Sequence, residues 1–258
     1  MLRPIMALPE SDGPRRDYAE FLEKRGDPRG EFIRIQLRIA EIYRAQESRA
    51  ELAGLTPRER NLLASHERDW VAIVASVSPG RCIFYRGFVE GIEIDARTFP
   101  GRADELYKRA PILHLTVRGG AGAVRDLCQC RALSRIVSLD FHQQQIGDEG
   151  AEAIASSPHL ERLAWLDLRG NKLTKRGIEA LAASKRLPRL RWLDVQLNDF
   201  QNPVDEPDEI DGESIIHYDG SSPLGKELEA RYGQQAWMHF RPSNTRWLPP
   251  SPLVFEPV

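Results

Sequence analysis

The segment LAWLDLRGNKL, residues 163–173, recurs without a gap as IVSLDFHQQQI from residue 136 and as LRWLDVQLNDF from residue 190. The fourth residues of the three copies are Leu139, Leu166 and Leu193, which are equally spaced because 166 − 139 and 193 − 166 both equal 27. The stretches between the copies align as well, since Gly150 matches Gly177. A fixed period of this length indicates a repeat array in which stacked units share one core.

Two weaker copies precede these three. APILHLTVR has its fourth position at Leu113, slightly closer to Leu139 than the period requires, since 139 − 113 equals 26. FVEGIEID, residues 88–95, reads as a degenerate first strand. The array is therefore expected to contain about four to five repeats.

Each copy combines a strand pattern with a turn residue and a helix pattern. The alternation in LxL predicts a strand whose leucines face inward. The amides of Asn171 and Asn198 can satisfy backbone groups where the chain leaves the strand, and Gln144 is expected to do so less well. The following stretch, such as RGIEALAASKRL, predicts a helix packed on the strands.

These motifs resemble a bacterial leucine-rich repeat array of the ribonuclease-inhibitor type from about residue 88 to 200. DYAEFLEKRGDPRGEFIRIQLRIA, residues 17–40, is similar to the repeat-companion domain that precedes such arrays in some bacterial proteins. The resemblance implies an α/β fold: a short leucine-rich-repeat solenoid with parallel strands on its concave face, helices on its convex face and N-terminal helices as a cap. It also implies a binding scaffold that catalyses nothing.

Three segments are expected. Residues 1–80 form the helical companion segment and N-terminal cap, residues 81–200 the solenoid, and residues 201–258 an acidic loop with a proline-rich C-terminal cap or tail. In the first segment Asp27 and Thr56 are predicted helix caps, each followed by proline. In the last, VDEPDEIDGES predicts a solvated loop, SIIHYDG an edge strand and PLGKELEARYG a short helix. The apolar residues of the final proline-rich stretch favour a packed cap over a free linker.

The outward positions of the strands carry the candidate partner-binding residues, because repeat arrays bind on their concave sheet. The eight candidates are Trp165, Trp192, Asp140, Asp167, Asp194, His142, Arg169 and Gln196. The aspartates are either common fillers of that position or a stripe that selects a basic partner. The tryptophans are either packed between repeats or anchors of an interface.

The area of this face limits the interface. Five strands give roughly 400 Å², whereas a standard interface takes about 800 Å² from each partner. Loops, tail or companion helices must therefore contribute unless the contact is weak.

No enzyme, cofactor or metal site is predicted. His114 and His142 near Asp140 lack an accompanying nucleophile or pocket, and Gly119–Gly122 has no phosphate-loop lysine. The cysteine count of three and the CQC spacing do not match a zinc site.

The partner is expected to be a protein, not nucleic acid or membrane. The chain has 36 basic and 38 acidic residues, a net charge of −2, and no basic patch or long apolar stretch. The missing signal-peptide core predicts a cytoplasmic location. Two alternatives stay open: a structural subunit docking through its helices and tail, or an inhibitor or immunity-type regulator of an enzyme.

Overall fold

The structure, a computed structural model, describes residues 2–45, 49–199, 209–210, 213–214, 223–234 and 236–238. The described residues divide into two compact units. The first contains the residues up to Glu93 together with Arg102–His114, and the second contains Ile94–Gly101 and the described residues from Leu115 onward.

Four helices begin the first unit: α1 (Leu2–Ala7), α2 (Gly13–Glu23), α3 (Pro28–Arg44) and α4 (Leu52–Ala75). The predicted cap at Asp27 is present, since its side chain accepts a hydrogen bond from the backbone N–H of Arg29. Pro28 occupies the first helical position, where its missing N–H costs nothing.

The prediction that Thr56 caps a helix is wrong. Helix α4 begins at Leu52, after a 3-10 turn at Arg49–Glu51, and Pro57 lies inside it. The turn before the proline contains Leu52 and Leu55, whose side chains are both half-buried. The side chain of Glu59, three residues after Thr56, accepts a hydrogen bond from Gln36 Nε2 at 2.8 Å.

An antiparallel hairpin follows the helices, formed by β1 (Cys82–Tyr85) and β2 (Phe88–Asp95). The expected strand FVEGIEID is β2, whereas β1 has no counterpart in the repeat pattern. Gly87 in the turn has a positive φ of 85° and lies against Ile33 of α3. The core of this unit joins Phe88 to apolar residues of the helices, including Ile5, Leu22, Ile33 and Leu37.

A buried ion cluster ties the hairpin to helix α2. Glu90 accepts from the guanidinium groups of Arg15 at 2.9 Å and Arg86 at 2.7 Å, and all three side chains are almost fully buried. Arg86 also contacts Asp12 at 3.1 Å and the backbone oxygens of residues 9 and 10. These partners supply the countercharge and hydrogen bonds that buried guanidinium groups require.

The helix α5 (Phe99–Arg109) and the strand β3 (His114–Arg118) lead into the repeats of the second unit. There β4 (Ser138–Asp140), β5 (Trp165–Asp167) and β6 (Trp192–Asp194) are parallel, with Leu139 paired to Leu166 and Leu166 to Leu193. The helices are α6 (Val124–Cys128), α7 (Gly147–Ser156) and α8 (Lys175–Ala183), and each packs on the next. The second unit is therefore a mixed α/β structure built on parallel strands.

The strands and helices of this unit bury the residues that the repeat pattern marks as inward. Leu139, Leu166 and Leu193 are buried, as are Ile154 of α7 and Leu181 of α8. Alternation along each strand puts the intervening polar residues on the opposite face of the sheet.

Asparagine side chains hold the turns that follow the strands. Asn171 Oδ1 accepts from the backbone N–H groups of Gln144 and Ile146, and its Nδ2 donates to Phe141 O and Arg169 O. Asn198 repeats this pattern one repeat later. Gln144 Oε1 accepts only a 3.5 Å hydrogen bond from the N–H of Gly120, in line with its weaker expected role.

The described part of the C-terminal region packs on the last repeat. Helix α9 (Pro223–Tyr232), predicted from PLGKELEARYG, contacts α8, and the ion pairs Lys175–Glu227 and Arg231–Glu179 join the two helices. A 3-10 turn, Ala236–Met238, contacts β6 and buries Trp237.

The acidic stretch and the segments that follow it are only partly covered by the described residues. In the acidic stretch, β7 (Glu209–Ile210) and β8 (Glu213–Ser214) form a short antiparallel pair where a loop was expected. The remaining residues of that stretch, the SIIHYDG strand beyond Ser214 and the final proline-rich segment lie outside the described residues. Within the described residues, no helix combines the length and the apolar character that crossing a membrane would need.

Candidate functional site

The outward residues of β4, β5 and β6 and of the turns after them form three rows, which we call the polar sheet face. The strand register pairs Ser138 with Trp165 and Trp165 with Trp192, and likewise pairs Asp140 with Asp167 and Asp167 with Asp194. The third row lies two residues beyond the aspartates and contains His142, Arg169 and Gln196. All eight predicted site residues therefore share one face of the second unit.

Each aspartate ends its strand with the same local hydrogen bond. Oδ1 of Asp140, Asp167 and Asp194 accepts from the backbone N–H two residues later, at 2.8, 2.9 and 3.0 Å. Such side-chain turns are a common use of aspartate at strand and turn boundaries. This geometry explains why each of these positions carries aspartate or asparagine. The turn itself does not require a negative charge.

Arg169 is the arginine of the polar sheet face. Its Nε lies 3.0 and 2.9 Å from the two carboxylate oxygens of Asp167, and its Nη2 lies 2.5 Å from Oδ2. Its Nε also lies 3.5 Å from Asp194 Oδ2, and its charge acts on Asp140 as well. The three carboxylates thus face the same arginine, which is engaged most closely by the middle one.

Burial, and then the proximity of other carboxylates, changes the protonation of Asp140 and Asp194. Burial, together with the charge of Asp167, raises the pKa of Asp194 to about 7, against the opposing effects of the Gln196 N–H and of Arg169. Burial and then Asp167 also raise the pKa of Asp140. Ionising these carboxylates therefore costs free energy in the folded protein. A positive charge brought close to the row by a partner would reduce that cost.

The two tryptophans form a stacked pair. Their ring centroids are 4.3 Å apart and their planes are inclined by 2°. Trp165 is only 6% exposed, whereas Trp192 at the end of the row is half-buried. Trp165 therefore acts mainly in packing, and Trp192 offers the more accessible ring.

Burial divides the predicted site residues into two groups. Trp165, Asp167 and Asp194 are buried, the first by ring stacking and the two acids by Arg169 and the neighbouring strands. The half-buried residues are Asp140, His142, Arg169, Trp192 and Gln196. The half-buried residues are accessible to direct contact. The buried aspartates can act on an approaching group only through their charge.

The histidines do not form an acid–base pair with an aspartate. His142 contributes its backbone N–H to Asp140. His114 is buried in the first unit, neither of its ring nitrogens is hydrogen-bonded to a described residue, and burial lowers its pKa to about 3. Among the described residues, no group of three or more His, Cys, Asp or Glu side chains could hold a metal ion.

Two neighbouring residues, Thr116 and Leu197, were not among the eight predicted site residues. Thr116 Oγ1 donates to Asp140 Oδ2 at 3.5 Å. Leu197, directly after Gln196, is 68% exposed. The sequence did contain a signal for Leu197, because the aligned repeats have Gln143 and Gly170 at the same position.

Comparison with known proteins identifies the repeats. Residues 137–155 and 156–182 match the family model described as Leucine Rich repeat. No curated protein matches the chain. The chain therefore contains leucine-rich repeats over β4, β5 and the helices α7 and α8. Such repeats generally mediate protein–protein interaction and are typically non-catalytic scaffolds.

Proposed function

We propose that this leucine-rich repeat chain is a non-catalytic scaffold that binds a partner protein through the polar sheet face. The partner presents a positively charged surface there. The observation that carries the proposal is the row Asp140, Asp167 and Asp194, in which three carboxylates lie on adjacent strands and Arg169 forms ion pairs with Asp167 and Asp194. Side-chain turns account for the aspartate type of residue, but asparagine would make the same turn without charge.

Electrostatics and exposure both favour this face. Like charges on adjacent strands lower stability unless a counter-charge approaches, and complementary charge across an interface speeds association and selects partners. The half-buried ring of Trp192 lies in the row beside the acids, and tryptophan is enriched among the residues that dominate binding energy.

The test compares charge removal on this face with equal charge removal elsewhere. The double variant Asp140→Asn/Asp194→Asn removes two carboxylates and keeps the side-chain oxygens that accept the turn hydrogen bonds. Capture is carried out at about pH 8, where Asp194, whose pKa is about 7, is mostly ionised. The matched control Glu149→Gln/Glu152→Gln removes two charges from exposed ion pairs of α7. Proteins captured from native cell lysate by the immobilised chain are then identified and quantified by mass spectrometry.

A protein captured equally by wild type and control, and at least tenfold less by the aspartate variant, is the expected result. Equal capture by all three forms would exclude the polar sheet face and favour docking through the helices or the C-terminal region. Trp165 is unsuitable for this test, because removing a buried tryptophan costs about 3 to 5 kcal/mol of stability.

The finer family assignment is also a proposal. We infer repeats of the bacterial ribonuclease-inhibitor type, about four to five in number, stacked as a short solenoid behind an N-terminal companion segment. The constant offset between paired residues across β4, β5 and β6 supports the repeat length. The three free cysteines suit a reducing cytoplasm, and cell fractionation would test that location.

A further inference from the structure

Leu197, the residue after Gln196, differs in chemistry from the residues at the same position of the two preceding repeats. Gln143, Gly170 and Leu197 occupy the same position of successive repeats, and all three have positive φ angles, of 57°, 64° and 57°. Glycine adopts this left-handed conformation freely, whereas a side chain as large as leucine adopts it at a cost. Position 197 therefore carries the least suitable of the three residues.

Asn198 explains why the backbone cannot relax at this position. It is buried, and its Nδ2 donates to the backbone oxygens of Leu168, Val195 and Gln196, while its Oδ1 accepts from two backbone N–H groups of the preceding repeat. This network fixes the conformation of the turn on both sides of residue 197.

The side chain of Leu197 buries little apolar surface that could offset the cost of the left-handed backbone conformation. Of the large apolar side chains that are exposed in the described part of the chain, Leu197 is the most exposed, at 68%. Among those exposed side chains it is the one in the second unit, directly after the third row of the polar sheet face. A strained residue whose apolar side chain stays in solvent is the kind of outlier that points to function.

We propose that Leu197 is the apolar anchor of the partner interface. The occupant is a partner segment with a basic side chain over the aspartates and an apolar side chain against Leu197. This inference rests on the proposed function, and it extends the interface into the loop, as the small area of the strands requires.

The spacing between Asp194 and Leu197 and the charge of the aspartates define the partner segment. Leu197 follows Asp194 by three residues, which would span at most roughly 10 Å if extended, and the turn after the strand shortens this path. The three aspartates of the row, of which Asp167 and Asp194 form ion pairs with Arg169, provide the charge complementarity, and the exposed leucine provides the apolar contact. Peptides that fit should therefore carry a basic and a large apolar residue within about four positions of each other.

The variant Leu197→Gly separates an effect on binding from an effect on stability, because it should weaken binding without lowering the melting temperature. Glycine fits the fixed backbone, so the variant should melt no lower than wild type, with a rise of up to about 3 °C. Binding should weaken about tenfold, or about 1.4 kcal/mol. Gln143→Gly, at the same repeat position, is the matched control: its melting temperature should behave alike and its binding should stay within twofold.

The probe is a random library of twelve-residue peptides displayed on phage and selected on the full-length wild-type chain. Affinities of the selected peptides are then measured for wild type, Leu197→Gly, Leu197→Asn and Gln143→Gly. Asparagine tolerates positive φ and lacks the apolar group, so it supplies a second variant that folds. The expected peptides combine basic and apolar residues and bind both Leu197 variants about tenfold more weakly.

Peptides that bind both Leu197 variants as tightly as wild type, yet are lost in Asp140→Asn/Asp194→Asn, would overturn the anchor and leave the proposed function standing. Peptides retained by all variants would contradict both. A selection that yields no peptide specific for the wild-type chain, or peptides without a basic residue, would also overturn the inference.

Discussion

Replacing Asp194 with asparagine measures the cost of keeping a buried carboxylate charged beside Asp167 on the polar sheet face. Asparagine keeps an oxygen that can accept the 3.0 Å hydrogen bond from the backbone N–H of Gln196. Arg169 keeps its closest partner, Asp167. The substitution therefore changes the charge of the row and little else.

The size of the effect follows from the raised pKa. Asp194 titrates with a pKa of about 7 in the folded chain, against about 3.9 in an unfolded chain. Each pH unit between these values corresponds to about 1.36 kcal/mol, so the upper bound is about 4 kcal/mol. Because the folded state holds this proton more tightly, the wild type loses stability as pH rises from about 4 to about 7. The asparagine variant lacks this contribution of Asp194, so its stability falls less over the same range.

The assay is urea unfolding of both forms at intervals between about pH 4 and pH 8. We expect near-equal stability at the acidic end and an advantage of about 2 to 4 kcal/mol for Asp194→Asn at the alkaline end. The control Asp194→Ala removes the same charge together with the acceptor for Gln196, and should be about 1 kcal/mol less stable than the asparagine variant. An asparagine variant that is less stable than wild type at the alkaline end, or that follows the same pH profile, would refute the reasoning.

Three further substitutions probe the fold. Asn171→Ala removes four hydrogen bonds to buried or half-buried backbone groups, and should lower the free energy of unfolding by about 3 kcal/mol; a loss under about 1 kcal/mol would contradict the role given to this amide. Glu90→Gln leaves Arg15 and Arg86 without their shared countercharge and should cost about 3 to 5 kcal/mol in urea unfolding, so an unchanged midpoint would count against the cluster. Gly87→Ala puts a methyl group against the buried side chain of Ile33 at a φ of 85°, and should lower the melting temperature by several degrees; a rise would show that the turn is not as described.

Local periodicity was enough to predict the repeats. Leucines in alternation, an asparagine after each strand and a helix pattern between copies are all short-range signals, and the structure pairs Leu139, Leu166 and Leu193 as they imply. Helix α3 and its Asp27 cap were predictable for the same reason.

Features that depend on distant residues were not predictable. The pairing of β1 with β2 and the meeting of Arg15 with Glu90 join parts of the chain that no local pattern connects. The repeat pattern places Trp165 and Asp167 on the outward face, but it does not show that stacking on Trp192 and coverage by Arg169 bury them. Side-chain contacts between neighbouring repeats determine that burial.

The most direct test of the central claim measures the affinity of a purified partner, obtained by capture from lysate, at two salt concentrations. The forms compared are wild type, Asp140→Asn/Asp194→Asn and Glu149→Gln/Glu152→Gln. Recognition through the polar sheet face predicts at least tenfold weaker binding and a reduced salt dependence for the aspartate variant alone. Equal affinities and equal salt dependence in all three forms would contradict it.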